Sequence, residues 1–79
     1  MKVRVLVFAS YADALGRDAL DLDLAAGATV AECVEAVRRA AGESVPPVPL
    51  VAVNRRYAQP GQPLAEGDEV ALIPPVAGG

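Results

Sequence analysis

The sequence predicts an α+β domain in which one main helix packs across a mixed sheet and an extended tail follows the last strand. Three observations predict it. Residues 19–24 (ALDLDL) alternate apolar and acidic, residues 30–41 carry an apolar stripe at helical spacing, and Pro74-Pro75-Val76-Ala77-Gly78-Gly79 follows directly on a strand-like run. A length of 79 residues suits a single domain spanning 1–79, and a hydrophobic content of 53% can fill a core. So small a domain has little room for a deep pocket, which favours a binding or carrier role.

Taken in order, residues 2–9 (KVRVLVFA) are Val-rich and read as a central strand. Ser10 to Gly16 fits one or two helical turns with Gly16 as the stop. In residues 19–24, Leu20, Leu22 and Leu24 share one face and Asp21 and Asp23 the other, the pattern of a half-buried edge strand antiparallel to the first. Ala26-Gly27 makes a turn, and Thr29-Val30-Ala31-Glu32 is a capping-box sequence. The helix it starts runs to about Ala41, with Gly42 as a left-handed stop. Val30, Cys33, Val34, Val37 and Ala41 form its apolar stripe, and Glu32, Glu35, Arg38 and Arg39 its wet side. A proline-stiffened crossing at 43–49 leads to strands at 50–54 and 57–58, with a turn at Arg55-Arg56 between them. A loop then feeds a last strand, Glu69 to Ile73. A hairpin, a helical crossover and a return to the sheet is the β-grasp, or ubiquitin-like, plan, with the last strand parallel to the first.

Composition excludes several function classes. Seven basic residues face ten acidic ones, for a formal net charge of −3, and no basic stripe exists to neutralise phosphates, so nucleic acid is not an expected partner. Histidine is absent, which removes the commonest general base and metal ligand. One cysteine, Cys33, makes neither an internal disulfide nor a Cys-based zinc site, and no metal is expected. No apolar run is long enough to cross a bilayer and the N-terminal stretch lacks the pattern of a signal peptide, so a cytoplasmic protein without membrane contact is expected.

The tail is where chemistry is expected. Pro74 and Pro75 end the sheet ladder and hold the backbone extended. Six such residues span at most about 20 Å, enough to enter a channel in another protein. Gly78 and Gly79 carry no side chains, so that channel can be narrow. A free carboxylate at Gly79 is an unreactive anion. It accepts a nucleophile only after activation, most simply as an acyl-adenylate, and a sulfur nucleophile then gives a thioester or thiocarboxylate. The alternative is a frayed end without function.

The segment Val53-Asn54, followed by Leu64-Ala65-Glu66-Gly67-Asp68-Glu69-Val70-Ala71-Leu72-Ile73-Pro74-Pro75-Val76-Ala77-Gly78-Gly79, resembles the end of the molybdopterin synthase small subunits, sulfur carriers of the MoaD/ThiS family. Val5-Leu6-Val7-Phe8-Ala9 with Gly16, and Gly27-Ala28-Thr29-Val30 before the helix, resemble the same family. The resemblance implies a non-catalytic carrier subunit in molybdenum cofactor biosynthesis. An activating enzyme would use ATP to adenylate Gly79, which becomes a thiocarboxylate, while the chain itself binds no cofactor. Two such tails, Pro75, Val76, Ala77 and Gly78 leading to Gly79, would enter a dimer of the large subunit, forming a heterotetramer that converts cyclic pyranopterin monophosphate to molybdopterin. The catalytic lysine is expected on the large subunit. Alternatives are a sulfur carrier for thiamine or tRNA thiolation, a ubiquitin-like protein tag, or a binding module with an inert tail. Arginine outnumbers lysine six to one, and Lys2 is the only lysine, which disfavours chains linked through several lysines.

Strand parity adds a docking surface. Lys2, Arg4, Leu6 and Phe8 share a face opposite Val3, Val5 and Val7, and Glu69, Ala71 and Ile73 share another. The charges place the first set outside, so Phe8 and Ile73 are expected to form an apolar partner-docking patch; the alternative is that both fill the core. Cys33, on the helix stripe, reads as structural. Asp21 and Asp23 read as a solvated edge face, and Glu66, Asp68 and Glu69 as a solvated turn or a docking site for basic residues.

Overall fold

Valine at every second position of the first strand fixes the centre of the molecule. The computed structural model describes residues 1–75. The chain runs through strand β1 (Lys2–Val7), helix α1 (Ala9–Leu15), strand β2 (Ala19–Asp23), helix α2 (Val30–Ala41), a 3-10 turn (Gly42–Ser44), and strands β3 (Leu50–Val53), β4 (Arg56–Tyr57) and β5 (Glu69–Ile73). The sheet order is β2-β1-β5-β3-β4. Strand β1 lies antiparallel to β2 and parallel to β5, and β3 lies antiparallel to both β5 and β4. This is the expected β-grasp arrangement, with β2 at one edge and the first and last strands parallel.

One face of the sheet is sealed. Val3, Val5 and Val7 of β1, Val70 and Leu72 of β5, and Val51 and Val53 of β3 pack with Val30, Cys33, Val34 and Val37 of α2. Each such side chain contributes about 1.5–3 kcal/mol when fully removed from water. The helix starts as its capping box dictates: the Thr29 hydroxyl accepts from Glu32 N–H at 3.3 Å, and the Glu32 carboxylate accepts from Thr29 N–H at 3.1 Å.

Several local readings shift. The first strand stops at Val7, because Ala9 at φ 48° turns the chain into α1. Gly42 has the expected positive φ but a ψ of −147°, outside the left-handed helical region, and the chain tightens through the 3-10 turn rather than stopping. That turn drives Val45 fully into the core. Arg38 follows it: its Nε donates to the Val45 carbonyl at 2.9 Å, so a residue expected on the wet side is a half-buried strut. The hairpin turn falls on Asn54 and Arg55, both at positive φ, one residue before the expected place, and β4 shifts with it. Tyr11 and Leu64 are core residues that the periodicities did not reveal.

Candidate functional site

The site is assembled where β1 and β5 end side by side. Their parallel register pairs Val7 with Leu72, so Phe8, extended at φ −132° and ψ 156°, continues next to Ile73. On the other flank Ile73 lies opposite Leu50 in the antiparallel pairing of β3. These three residues form an apolar row across the sheet face turned away from α2. Phe8 is 47% exposed, Leu50 51%, and Ile73 partly so. A second row, Leu6, Ala71, Ala52 and Tyr57, runs behind the first through paired registers, and Tyr57 is 75% exposed. The backbone helps to build the row. Positive φ at Ala9, costing about 1–2 kcal/mol for a residue with a Cβ, sends Tyr11 inward to 3% exposure and leaves Phe8 outside.

Farther from this end the same face becomes polar. Asp21 lies across from Arg4, which lies beside Glu69, and Lys2 lies across from Asp23. The outer face therefore has an apolar half near the tail and a charge-alternating half at the opposite end. Parity in the sequence gave Phe8 and Ile73. It missed Leu50 and Tyr57, although the buried parity of Val51 and Val53 is the signal that puts Leu50 outside.

Pro74, half-buried, and Pro75, exposed, leave the sheet directly from this apolar row. Pro75 thus stands at the base of the expected tail, and Val76, Ala77, Gly78 and Gly79 lie outside the described residues.

The other candidates separate from the site. Cys33 is wholly buried, and burial pushes its thiol up to about 11, so it is a packing residue in the neutral form. Glu66 accepts from Lys2 N–H at 3.0 Å. Asp68 accepts from Ala65 N–H at 2.8 Å and from the Asn54 side-chain amide at 3.0 Å. The Asn54 carbonyl oxygen in turn accepts from Glu69 N–H at 3.0 Å. Both carboxylates are engaged inside the turn before β5, at the end of that strand remote from Pro74. These bonds favour the solvated turn over the docking site, the two readings the sequence left open. Among the described residues no group of three or more His, Cys, Asp and Glu side chains is placed to hold a metal ion. No helix among them is long and apolar enough to cross a membrane.

Known proteins share this arrangement along the whole chain. The molybdopterin synthase sulfur carrier subunit of Chlamydomonas reinhardtii is 34% identical over 83 residues, covering 100% of both chains. Among solved structures, small archaeal modifier protein 1 of Haloferax volcanii superposes with a TM-score of 0.85 at 28% identity, covering 95% of this chain and 98% of its own. A putative molybdopterin converting factor subunit 1 of Pyrococcus furiosus also reaches 0.85, at 29% identity, covering 96% of this chain and 99% of its own. The sequence model of the ThiS family matches residues 5–79, which takes in the central strand, the capped helix, the apolar row and the Gly-Gly end alike. With the family model matching residues 5–79 and a curated relative 34% identical along the whole chain, the chain belongs to the ThiS family.

Proposed function

We propose that this chain is the sulfur carrier subunit of a molybdopterin synthase, a cytoplasmic protein that works through the carboxylate of Gly79. The observation that carries the proposal is the end-to-end match to a molybdopterin synthase sulfur carrier subunit. The geometry supports it: a Pro-Pro stalk leaves the sheet beside an apolar row suited to a protein partner. In an activating enzyme, a Gly79 carboxylate oxygen attacks the α-phosphorus of ATP and pyrophosphate leaves. A sulfur nucleophile then attacks the acyl carbon, AMP leaves, and the carboxylate has exchanged one oxygen for sulfur. Phe8, Ile73 and Leu50 seat the carrier on the large synthase subunit while Pro75, Val76, Ala77 and Gly78 run into its active site. There the thiocarboxylate gives its sulfur to cyclic pyranopterin monophosphate.

The likeness to a small archaeal modifier protein favours a second reading, a tag joined to lysines of other proteins. One experiment tests both. After incubation with ATP, a sulfide source and the activating enzyme, intact mass is expected to rise by about 16 Da, since only an activated acyl group accepts sulfur. A chain lacking Gly79 is expected to show no gain. Absence of the gain in the full chain, with isopeptide adducts to lysines appearing instead, would replace the carrier with the tag.

A further inference from the structure

We propose that this chain is built to be inert toward its own activated end, because its thiol, its lysine and its α-amino group are all placed away from the base of the tail. The inference rests on activation of Gly79 as described above. An acyl-adenylate is attacked by any free amine or thiol. With an amine, a C–N bond forms, the bond from the acyl carbon to the phosphate oxygen breaks, AMP leaves, and the amine proton passes to solvent. The product, a lactam, no longer accepts sulfur. A carrier is therefore served by having no such group within reach.

The chain has one cysteine, one lysine and one α-amino group. Cys33 is enclosed between α2 and the sheet at 0% exposure, and its thiol stays protonated there. The α-ammonium of Met1 donates to the Leu24 carbonyl at 2.8 Å and lies 3.5 Å from an Asp23 carboxylate oxygen. Lys2 is exposed but opens strand β1, where its backbone N–H donates to Glu66. Because β1 and β5 are parallel, both amines lie at the start of β5 and the tail leaves from its finish. Five residue steps lead from Lys2 to Val7, about 17 Å at a rise of 3.3–3.4 Å each. The four residues after Pro75 span at most about 14 Å, which even with about 6 Å of lysine side chain falls short of the roughly 27 Å from Lys2 to Pro75, three residues past the Val7–Leu72 pair. Strand register puts Phe8, Leu50 and Ile73 at the tail base, and Ser10 and Val48 lie two residues along the chain from Phe8 and Leu50; none of the five carries an amine or thiol. The remaining cations are six arginines, whose delocalised guanidinium groups are poor nucleophiles. Positive side-chain charge is thus supplied almost wholly by the cation that an activated acyl group leaves alone.

The test uses the full chain prepared chemically as a Gly79 thioester of 2-mercaptoethanesulfonate, held at mildly alkaline pH and followed by intact mass and peptide mapping. The natural sequence is expected to hydrolyse to the free acid. Val48→Lys and Ser10→Lys, two exposed positions, are each expected to lose the thiol as a lactam, with at least about tenfold more amide product than the natural chain, because the amine then lies within the reach of the four residues that follow Pro75. Amide formation at Lys2 or Met1 of the natural chain at the rate of the variants would overturn the proposal. So would variants that form no more amide than the natural chain. The thioester needs no activating enzyme, so a failure of ATP-dependent sulfur gain would sink the carrier reading and leave this result standing.

Discussion

Burial raises the Cys33 thiol from 9.0 to about 11, and that shift ties stability to alkaline pH. The folded state favours the neutral thiol, so its contribution is complete below the unfolded value. It is lost as pH rises through the folded value, because the unfolded chain gives up its proton first. Across that window the loss amounts to about 3 kcal/mol. Urea unfolding between neutral pH and the upper end of this window is expected to show the decline in the natural chain. Cys33→Ala should be less stable at neutral pH, but its curve should fall less steeply. Tyr11, also raised by burial, acts in the same direction in both proteins, so the difference belongs to Cys33. An equal decline in both would place the alkaline sensitivity elsewhere. The helical spacing made the burial of Cys33 legible in the sequence. Tyr11 was not, because one apolar side chain in a two-turn helix has no period to reveal its direction.

At the scale of elements, helix α2 was the most legible part of the chain. Its start depends on groups three residues apart, Thr29 and Glu32, and its apolar stripe repeats over three turns. Thr29→Ala removes the acceptor for Glu32 N–H and is expected to cost about 1 kcal/mol. In a domain this size that lowers the melting temperature by about 4–8 °C. Glu32→Gln keeps an acceptor for Thr29 N–H and should lower it less. Calorimetry on the two variants checks the order, and equal losses would mean that the side-chain bonds contribute little. The β3–β4 hairpin turns one residue before the place its local sequence suggests. Its turn is set by the positive φ of Asn54 and Arg55, and Asn54 is held by Asp68, fourteen positions away. The 3-10 turn after α2 escaped for the same kind of reason. Gly42 announces a change of direction, but the burial of Val45 decides where the chain goes.

At the scale of the whole molecule, the outer sheet face is divided, and the division argues for orientation of a partner. The apolar half, with Phe8, Ile73 and Leu50, adjoins the tail, and the half with Lys2, Asp21, Arg4 and Glu69 is remote from it. Under the proposed function, a large subunit that received the tail would meet the apolar half first. Phe8→Ala combined with Leu50→Ala is expected to weaken binding to the large subunit at least about tenfold, since truncating central apolar anchors costs about 1–2 kcal/mol or more. Arg4→Ala combined with Asp21→Ala should change it by no more than about twofold at physiological salt, where exposed charges are screened. Isothermal titration with the purified large subunit reads both. Equal effects from the two pairs would mean that the partner covers the whole face.

The sequence by itself determined the periods of strand and helix, the helix cap, the inward valines of β1 and the Pro-Pro-Val-Ala-Gly-Gly end that points to carrier chemistry. Each of these is encoded within a few neighbouring residues, where sterics, hydrogen bonding and amphipathic spacing act locally. Only the tertiary structure decided that Leu50 and Tyr57 join Phe8 and Ile73, that Glu66 and Asp68 are engaged within the fold, and that both amines stand at the end opposite the tail. Those facts follow from strand order and register, which are fixed by the joint burial of side chains far apart in the chain and have no signature in any single segment.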